Sequence, residues 1–451
     1  MLRQRTQLLL ILFTLSAVLH FYKLSEPRYV VFDEVHFGSY INDYHDGRLF
    51  FDIHPPHAKL LNAAVAIAGG YRGDQDFTKL GAPITKVSPA LLRLLPAITG
   101  TLIPLVMFCF LIQLGASPMA AFIGGLALVF DNALLIQTRL ITLDGLLLLS
   151  IFGSLSCFLA AFRCSDRIRR TKFALCAGLL AGLALGIKVT GLVALGLMGA
   201  CLALDFIVRP SWRKFRVGAS HSVWILTGAV VIYVAGWAIH FWLVSDPAPG
   251  FRWPIPRGDF IADFVEIHRT MLSANAGIRT AHPHSSPWWA WPLMARPIFY
   301  WSGEGGVELH FVGNPVLWWG TTLGLLMVAA NVVLLKVTNM QVRGTDKPWP
   351  RLLWIPALGY FMSFAPLVPI DRPLFLYHYF TPLFFALTTV VLWLDHVGWT
   401  RPTGFRGQRL SFHFATTALV LGFLAMSPFI FSFLDMPDYR RQVIDLLPIW
   451  P

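Results

Sequence analysis

Two adjacent acidic residues, Asp33 and Glu34, open a segment rich in aspartate, histidine and aromatic residues. Neighbouring side chains on a helix or turn diverge by about 100°, so the two carboxyl groups would do different work rather than share one proton. A positioned carboxylate can act as a general base that takes the proton from an attacking hydroxyl. The alternative is structural, because an acidic residue ahead of a helix stabilises its positive N-terminal end.

The composition of the chain indicates that membrane helices position this pair. Of the 451 residues, 56% are hydrophobic and 13% are charged, and the mean hydropathy is +0.61, whereas soluble domains carry about 25% charged residues. These values indicate an all-α polytopic membrane protein. A spanning helix needs about 20 apolar residues. Eleven such stretches are predicted, at 7–22, 90–113, 118–136, 140–162, 173–187, 189–208, 221–244, 314–335, 352–370, 376–395 and 410–433.

The distribution of basic residues predicts the orientation of these spans. With the N-terminus in the cytoplasm, most basic clusters fall in cytoplasmic loops, as the positive-inside rule requires. The net charge of +12 is therefore explained by topology, and no nucleic-acid partner is expected. The clusters are Arg163, Arg167, Arg169, Arg170 and Lys172; Arg209, Arg213, Lys214 and Arg216; and the basic residues of 336–351 and 401–409.

Two long segments fall outside in this arrangement, 23–89 and 245–313, within a single domain that covers 1–451. The first contains two amphipathic helices, one predicted over 34–46 and one that begins at Pro55-Pro56. Such helices would lie in the plane of the membrane interface.

Seven short segments, taken in order, resemble signatures of the protein O-mannosyltransferase family. They are FDEVHFG at 32–38, FFDIHPPHAKLL at 50–61, TRLITLDG at 138–145, GIKVTG at 186–191, WPLMARPIFYW at 291–301, VGNPVLWW at 312–319 and FLYHYFTPLFFA at 375–386. Together they cover most of the chain, so their order is more specific than any one of them.

The sequence departs from the family pattern in three places. His57 and Ala58 stand where the family usually has Leu and Gly, and Val189 follows Lys188 in place of Trp. The eukaryotic members carry a large β-trefoil insertion in the second outer segment, and 245–313 is too short to hold it. In this respect the chain is similar to the short prokaryotic form.

The resemblance implies a glycosyltransferase C type fold and the transfer of mannose from a polyprenyl-phosphate-mannose donor to Ser or Thr hydroxyls. Asp33 is then the general base, and Glu34 holds the acceptor or supports Asp33. The donor is a substrate, so no cofactor is expected. The implied partners are this donor, secreted or membrane protein acceptors, membrane lipids and the secretion machinery. The implied location is the inner (plasma) membrane of a bacterium, with the active site on the outer face.

A phosphate leaving group needs no proton from an acid when cations stabilise its growing charge. Basic groups at a membrane edge are costly and are therefore functional candidates. Arg93, at the outer end of the second span, matches a family arginine and is the foremost candidate. The other candidates are Lys188, Arg296 and Lys59. Arg139 and Asp144 are expected to form a structural pair with each other.

Four residues are predicted to contact the sugar or the acceptor: His54, Tyr377, His378 and Tyr379. No metal site is expected, because the acidic residues do not stand at ligand spacing around these side chains.

Two other functions fit part of the pattern. A transferase of the same architecture could move an aminosugar to a lipid A phosphate, which needs no deprotonation. A transporter would instead carry charges in the middle of its spans, whereas the charges here stand mostly at their ends.

Overall fold

A computed structural model describes residues 2–208, 210–244, 246–247, 258–280, 282–303, 306–338, 353–400, 406–434 and 436–446. This part of the chain is mostly helical. The first nine helices are α1 (Leu2–Phe21), α2 (Glu34–Asp46), α3 (His57–Ala68), α4 (Pro89–Leu92), α5 (Leu94–Leu114), α6 (Pro118–Val129), α7 (Asn132–Gln137), α8 (Asp144–Arg163) and α9 (Arg167–Ile187).

Eight further helices follow, with two short sheets. The helices are α10 (Leu192–Val208), α11 (Trp212–Leu243), α12 (Phe260–Gly277), α13 (Pro315–Thr338), α14 (Trp354–Phe364), α15 (Phe380–His396), α16 (Arg406–Met426) and α17 (Pro437–Leu446). Strands β1 (Arg48–Leu49) and β2 (Asp246–Pro247) pair in parallel. Strands β3 (Ile298–Ser302) and β4 (Glu308–Phe311) form an antiparallel pair.

Nine helices in the described ranges are long and apolar enough to cross a membrane, which makes the chain a multi-pass membrane protein. The other two predicted spans are divided into shorter pieces. In 118–136, α6 ends at Val129, and Asp131 caps the next helix by accepting a hydrogen bond from the N–H of Leu134 at 3.2 Å. In 352–370, α14 ends at Phe364 and a 3-10 turn over Ala365–Leu367 follows.

The bundle is held by close approach of helices at small residues. On α9, a Cβ added at Gly178 or Gly182 would collide with the backbone of α11 at Ile225 or Ala229. Backbones in contact at this range gain dispersion energy, which drives association where the surrounding lipid is as apolar as the helices.

The two helices predicted in the first outer segment are confirmed as α2 and α3. Their position in the interface plane stays a prediction. Of the basic residues in the predicted cytoplasmic loops, Arg209, Arg401 and most of 336–351 lie outside the described residues.

Candidate functional site

Glu34 is fully buried and its carboxylate is saturated with hydrogen bonds. Arg93 donates from Nε to Oε1 at 2.8 Å and from Nη2 to Oε2 at 2.9 Å. The backbone N–H groups of Val31 and Ile141 donate to the same carboxylate at 3.0 and 3.1 Å. The predicted contact between Glu34 and an acceptor is therefore wrong. Glu34 instead fixes the segment that carries Asp33, as the alternative supporting role requires.

Arg93 is equally enclosed, and the prediction that it binds the donor phosphate is wrong. Its guanidinium is fully buried and also donates to the carbonyls of Pro27 at 2.8 Å and Tyr29 at 3.1 Å. Its donors are thus already engaged by Glu34 and the backbone. Removing one member of such a buried pair typically costs about 3–5 kcal/mol, because the other charge is left uncompensated.

Asp33 stands at the N-cap of α2, but its side chain makes no capping hydrogen bond. Among the described residues no other hydrogen bond to this carboxylate is found. The preceding residue, Phe32, has a left-handed backbone (φ +51°) and stacks on Tyr300 with ring centroids 3.9 Å apart. Backbone strain of this kind persists where surrounding packing enforces it. The packing therefore holds Asp33 in place while leaving its carboxylate free.

Burial raises the pKa of the Asp33 carboxyl to about 7. The positive charge of Lys188 opposes this rise, whereas the carboxylates of Asp144 and Asp52 add to it. A carboxylate with a pKa near the working pH is well suited to accept a proton during reaction. The same couplings place Lys188 and Asp144 within electrostatic range of Asp33.

A chain of polar contacts connects Tyr300 to Lys188. The Tyr300 hydroxyl donates to Oε1 of Gln137, and Nε2 of Gln137 donates to Oδ2 of Asp144 at 2.7 Å. Lys188 Nζ donates to Oδ1 of Asp144 at 2.7 Å and lies 5.3 Å from the ring centre of Tyr377. A β-bulge between Phe299 and Trp301 turns the Tyr300 side chain toward Gln137. Asp144 therefore orients Lys188.

The predicted pair of Arg139 with Asp144 is wrong, because Arg139 binds the end of α1. Its Nη1 donates to the carbonyls of Leu19 and His20 at 2.7 Å each, and its Nη2 donates to Lys23 O at 3.0 Å. A cation at a helix C-terminus satisfies free carbonyls and complements the helix dipole. Arg139 thus anchors the point where the chain leaves α1 toward Asp33.

A cavity of about 870 Å³ opens beside Lys188. One end is polar, and the remaining wall is apolar, contributed by α8, α10, α12, α14 and α15. The charged, imidazole, phenol and amide side chains of the lining are His54, Asp144, Lys188, Asn275, Arg279, Asp371, Arg372, Tyr377 and His378, and the hydroxyl side chains are Thr190, Ser363 and Thr381. The main apolar residues are Leu147, Leu148, Val189, Leu192, Val193, Leu272, Met362, Leu367, Ile370 and Phe380.

Five of the predicted site residues line this cavity together: His54, Asp144, Lys188, Tyr377 and His378. Burial lowers the pKa of His54 to about 4, so its imidazole is neutral near pH 7 and can both donate and accept hydrogen bonds. These residues come from four distant parts of the chain, because only Tyr377 and His378 are neighbours in sequence, and the fold brings them to one place.

Three other predicted site residues lie outside the cavity lining. Lys59 is buried in an ion pair with Asp52 and donates to His54 O at 2.7 Å, so it holds the loop before α3. Tyr379 is fully buried, with its hydroxyl 3.4 Å from that of Tyr360. Arg296 is exposed. Lys59, Tyr379 and Arg296 therefore do not join His54, Lys188, Tyr377 and His378 in the lining of this cavity.

Sequence reasoning missed Arg372, which lines the polar end of the cavity. Within the described ranges its guanidinium has no hydrogen bond or ion pair. Half-burial lowers its pKa, while the nearby Tyr377 opposes that shift. It precedes the FLYHYF segment, and the rule that membrane-edge charges are functional candidates would have found it. Histidine, cysteine and acidic side chains form no cluster of three suited to a metal in the part described.

This helical membrane fold is that of the membrane glycosyltransferases of the C type. The chain is similar in fold to the Saccharomyces cerevisiae protein O-mannosyltransferase Pmt1-Pmt2 complex bound to the sugar donor, with a TM-score of 0.86 at 18% identity, covering 99% of this chain and 93% of that chain. It is also similar to ArnT from Cupriavidus metallidurans bound to undecaprenyl phosphate, with a TM-score of 0.51 at 16% identity, covering 98% and 74% of the two chains.

Residues 10–245 match the family described as dolichyl-phosphate-mannose-protein mannosyltransferase. Residues 260–446 match the C-terminal four TMM region of protein-O-mannosyltransferase. The chain therefore belongs to the protein O-mannosyltransferase family, as the ordered motifs predict.

Curated relatives agree with this assignment. The chain is 33% identical over 249 residues to protein O-mannosyltransferase 1 of Drosophila pseudoobscura, covering 53% of this chain and 27% of the relative. It is 29% identical over 294 residues to dolichyl-phosphate-mannose–protein mannosyltransferase 1 of Saccharomyces cerevisiae, covering 60% and 36%. The matched part thus spans only 27% and 36% of the length of these two relatives.

Proposed function

We propose that this protein transfers mannose from a polyprenyl-phosphate-mannose donor to Ser or Thr hydroxyls of secreted or membrane proteins at the outer face of the membrane. The observation that carries the proposal is the Asp33 carboxylate. It has no hydrogen-bond partner among the described residues, its pKa lies near 7, and it is coupled to Lys188 at the polar end of the cavity. The names of the curated relatives supply the donor class and the sugar.

The cavity suits a lipid-linked sugar. Its volume of about 870 Å³ lies within the range of roughly 300–1,000 Å³ typical of ligand sites. The apolar wall would take the isoprenoid tail nearest the head, and the polar end would take the phosphate and the sugar. Lys188 and Arg372 are the cations for that phosphate, and His54 and Tyr377 are contacts for sugar hydroxyls.

The reaction is then a single displacement at the anomeric carbon. The acceptor oxygen forms a bond to C1 as the bond from C1 to the phosphate oxygen breaks. The hydroxyl proton passes to Asp33. The phosphate departs with its extra negative charge, which Lys188 and Arg372 stabilise in a site of low dielectric. Attack from the face opposite the phosphate inverts the configuration at C1.

The test uses the purified protein with polyprenyl-phosphate-mannose and a Ser/Thr-rich peptide. Asp33→Asn keeps the size of the side chain but cannot accept the proton, so transfer should fall by about 10²- to 10⁴-fold. Asp74→Asn, at an exposed aspartate of the same outer segment, is the matched control and should leave transfer unchanged.

Two outcomes overturn the proposal. One is the absence of mannosyl peptide from the wild-type protein while the lipid donor stays intact. The other is equal activity of Asp33→Asn and the wild type. A parallel reaction with a polyprenyl-phosphate-aminosugar as donor and lipid A as the only acceptor examines the aminosugar alternative, in which the aminosugar would become attached to lipid A.

A further inference from the structure

A second cavity, of about 560 Å³, lies at the C-terminal end of α1 and shares no lining residue with the first. Its polar side chains are Lys23, Ser25, Glu26, Arg28 and Ser432. The proposed transfer uses none of them, so this cavity needs an explanation of its own.

Lys23 is held in place at this cavity by its backbone and its ring contacts. Its φ of +50° is left-handed, and its carbonyl accepts a hydrogen bond from Arg139 at 3.0 Å. Its Nζ lies 4.5 Å from the ring centre of Phe433, which also lines the cavity, and 5.7 Å from that of Tyr22. A cation over aromatic rings is attracted to their faces. No carboxylate in the described ranges pairs with this ammonium group.

The cavity carries one excess positive charge, because two cations face a single carboxylate. Arg28 Nε lies 3.5 Å from Oε1 of Glu26, and both side chains are well exposed. Such exposed pairs are weak, so the guanidinium is available to an anion. The hydroxyls of Ser25 and Ser432 add neutral hydrogen-bonding groups.

An apolar strip runs from the cavity along α1 and α5. Phe21 and Leu94 line the cavity, and Val18 and Ile98 stand three residues before Phe21 and four residues after Leu94, on the same helix faces. Val18 is 58% exposed, Phe21 41% and Ile98 40%. A strip of exposed apolar side chains on membrane helices faces lipid chains.

We propose that this cavity binds the headgroup of an anionic glycerophospholipid of the phosphatidylglycerol class. The phosphodiester carries one negative charge, which matches the excess positive charge and pairs with Lys23 and Arg28. The glycerol hydroxyls hydrogen-bond to Ser25, Ser432 and the Glu26 carboxylate. The two acyl chains lie on the α1–α5 strip. A choline headgroup is disfavoured, because it has no net charge and its quaternary ammonium has no proton to donate.

Lipid binding to the delipidated full-length protein, measured by native mass spectrometry, tests this proposal. Dioleoyl phosphatidylglycerol should bind at one site at least about tenfold more tightly than dioleoyl phosphatidylcholine. Lys23→Gln should weaken phosphatidylglycerol binding by about fivefold. Lys79→Gln removes an equal charge from an exposed position of the same outer segment and should change nothing.

Equal affinity of the wild type for the two lipids would overturn the proposal, as would equal losses in the Lys23 and Lys79 variants. Thermal unfolding in lipid-free detergent checks that Lys23→Gln keeps its fold. If that variant does not fold, Arg28→Gln is compared in the same way with Arg72→Gln, at another exposed arginine of the outer segment. Because the readout is lipid binding, failure here leaves the proposed transfer untouched, and failure of the transfer leaves this site untouched.

Discussion

Asp33 and Glu34 share a peptide bond and have opposite environments. Glu34 accepts four hydrogen bonds, two of them from Arg93, and cannot change partners without leaving a buried charge exposed to apolar surroundings. Asp33 accepts none among the described residues. Glu34 therefore fixes the segment in place, while Asp33 keeps the free carboxylate that its proposed role as general base requires.

The raised pKa of Asp33 predicts a pH-dependent transfer rate. The carboxyl must be ionised to accept a proton, and its pKa lies near 7. We therefore expect kcat/KM for the acceptor to rise about tenfold per pH unit below 7 and to level off above it. The measurement is the rate of peptide mannosylation between about pH 5 and pH 9. A flat profile would contradict the base role.

The role of Lys188 can be tested with the same pH profile. Its positive charge lowers the pKa of Asp33, so Lys188→Gln should move the midpoint of the profile to higher pH as well as reducing the rate. A lower rate with an unmoved midpoint would mean that Lys188 acts on the donor alone.

The sequence could predict candidate site residues, but it could not predict which residues they contact. The family resemblance made Asp33 the candidate base, and the ordered motifs contain His54, Lys188, Tyr377 and His378, which were predicted to contact the donor or the acceptor. The partner of Arg93 stands 59 residues away in sequence. Sequence spacing alone cannot show that such a cation pairs with a buried carboxylate and is therefore not available to a ligand.

Helix α3 is positioned by the ring of its first residue, His57, which packs between α9 and α11. A Cβ added at Gly186 of the α9 end or at Gly236 of α11 would collide with the ring of His57, whose Nε2 lies 3.0 Å from Ile232 O. His57 is one of the departures from the family pattern. The two glycines are what allow an imidazole at this position.

Gly236→Ala should therefore destabilise the protein by about 1–3 kcal/mol, through overpacking against His57. The cost should shrink in a His57→Ala background, giving a coupling of about 0.5–3 kcal/mol between the two sites. The measurement is unfolding in detergent micelles. Gly320→Ala is the control, because a Cβ there meets nothing within 4 Å. Equal costs of Gly236→Ala in both backgrounds would show that His57 is not the obstacle.

Element prediction succeeded where the local signal was strong. The amphipathic period of 34–46 and the proline pair at Pro55-Pro56 predicted α2 and α3. The break inside 118–136 was missed, because a long apolar run dominates the pattern there. Asp131 is the only charged residue in 118–136. Its position depends on partners such as Asn314, whose backbone N–H donates to Asp131 Oδ1 at 2.9 Å from far along the chain.

Several membrane helices and one helix outside the predicted spans, α12, together form the proposed donor cavity. Helix α12 contributes Leu272 and Asn275 to the lining, and Nδ2 of Asn275 donates to Ile53 O at 3.1 Å. Beyond α12, Arg279 pairs with Asp371 at 2.8 Å. Helix α12 and the residues that follow it therefore contact both the first outer segment, at Ile53, and the loop before α15, at Asp371.

The predicted orientation places the Asp33 side outside. A cysteine introduced as Lys79→Cys should be labelled by a membrane-impermeant maleimide in intact cells. Arg169→Cys, at an exposed position in the first turn of α9, should be labelled only after permeabilisation. The wild type, with its five native cysteines, gives the baseline. The reverse labelling pattern would contradict the orientation.

The lining of the proposed donor cavity extends along the chain from Ile53 to Thr381. Asp33 therefore leaves the ribosome long before Tyr377 and His378, and the site is assembled only once α15 has been inserted. We therefore expect a polypeptide that ends before α15 to lack the proposed transfer activity, although it already contains Asp33.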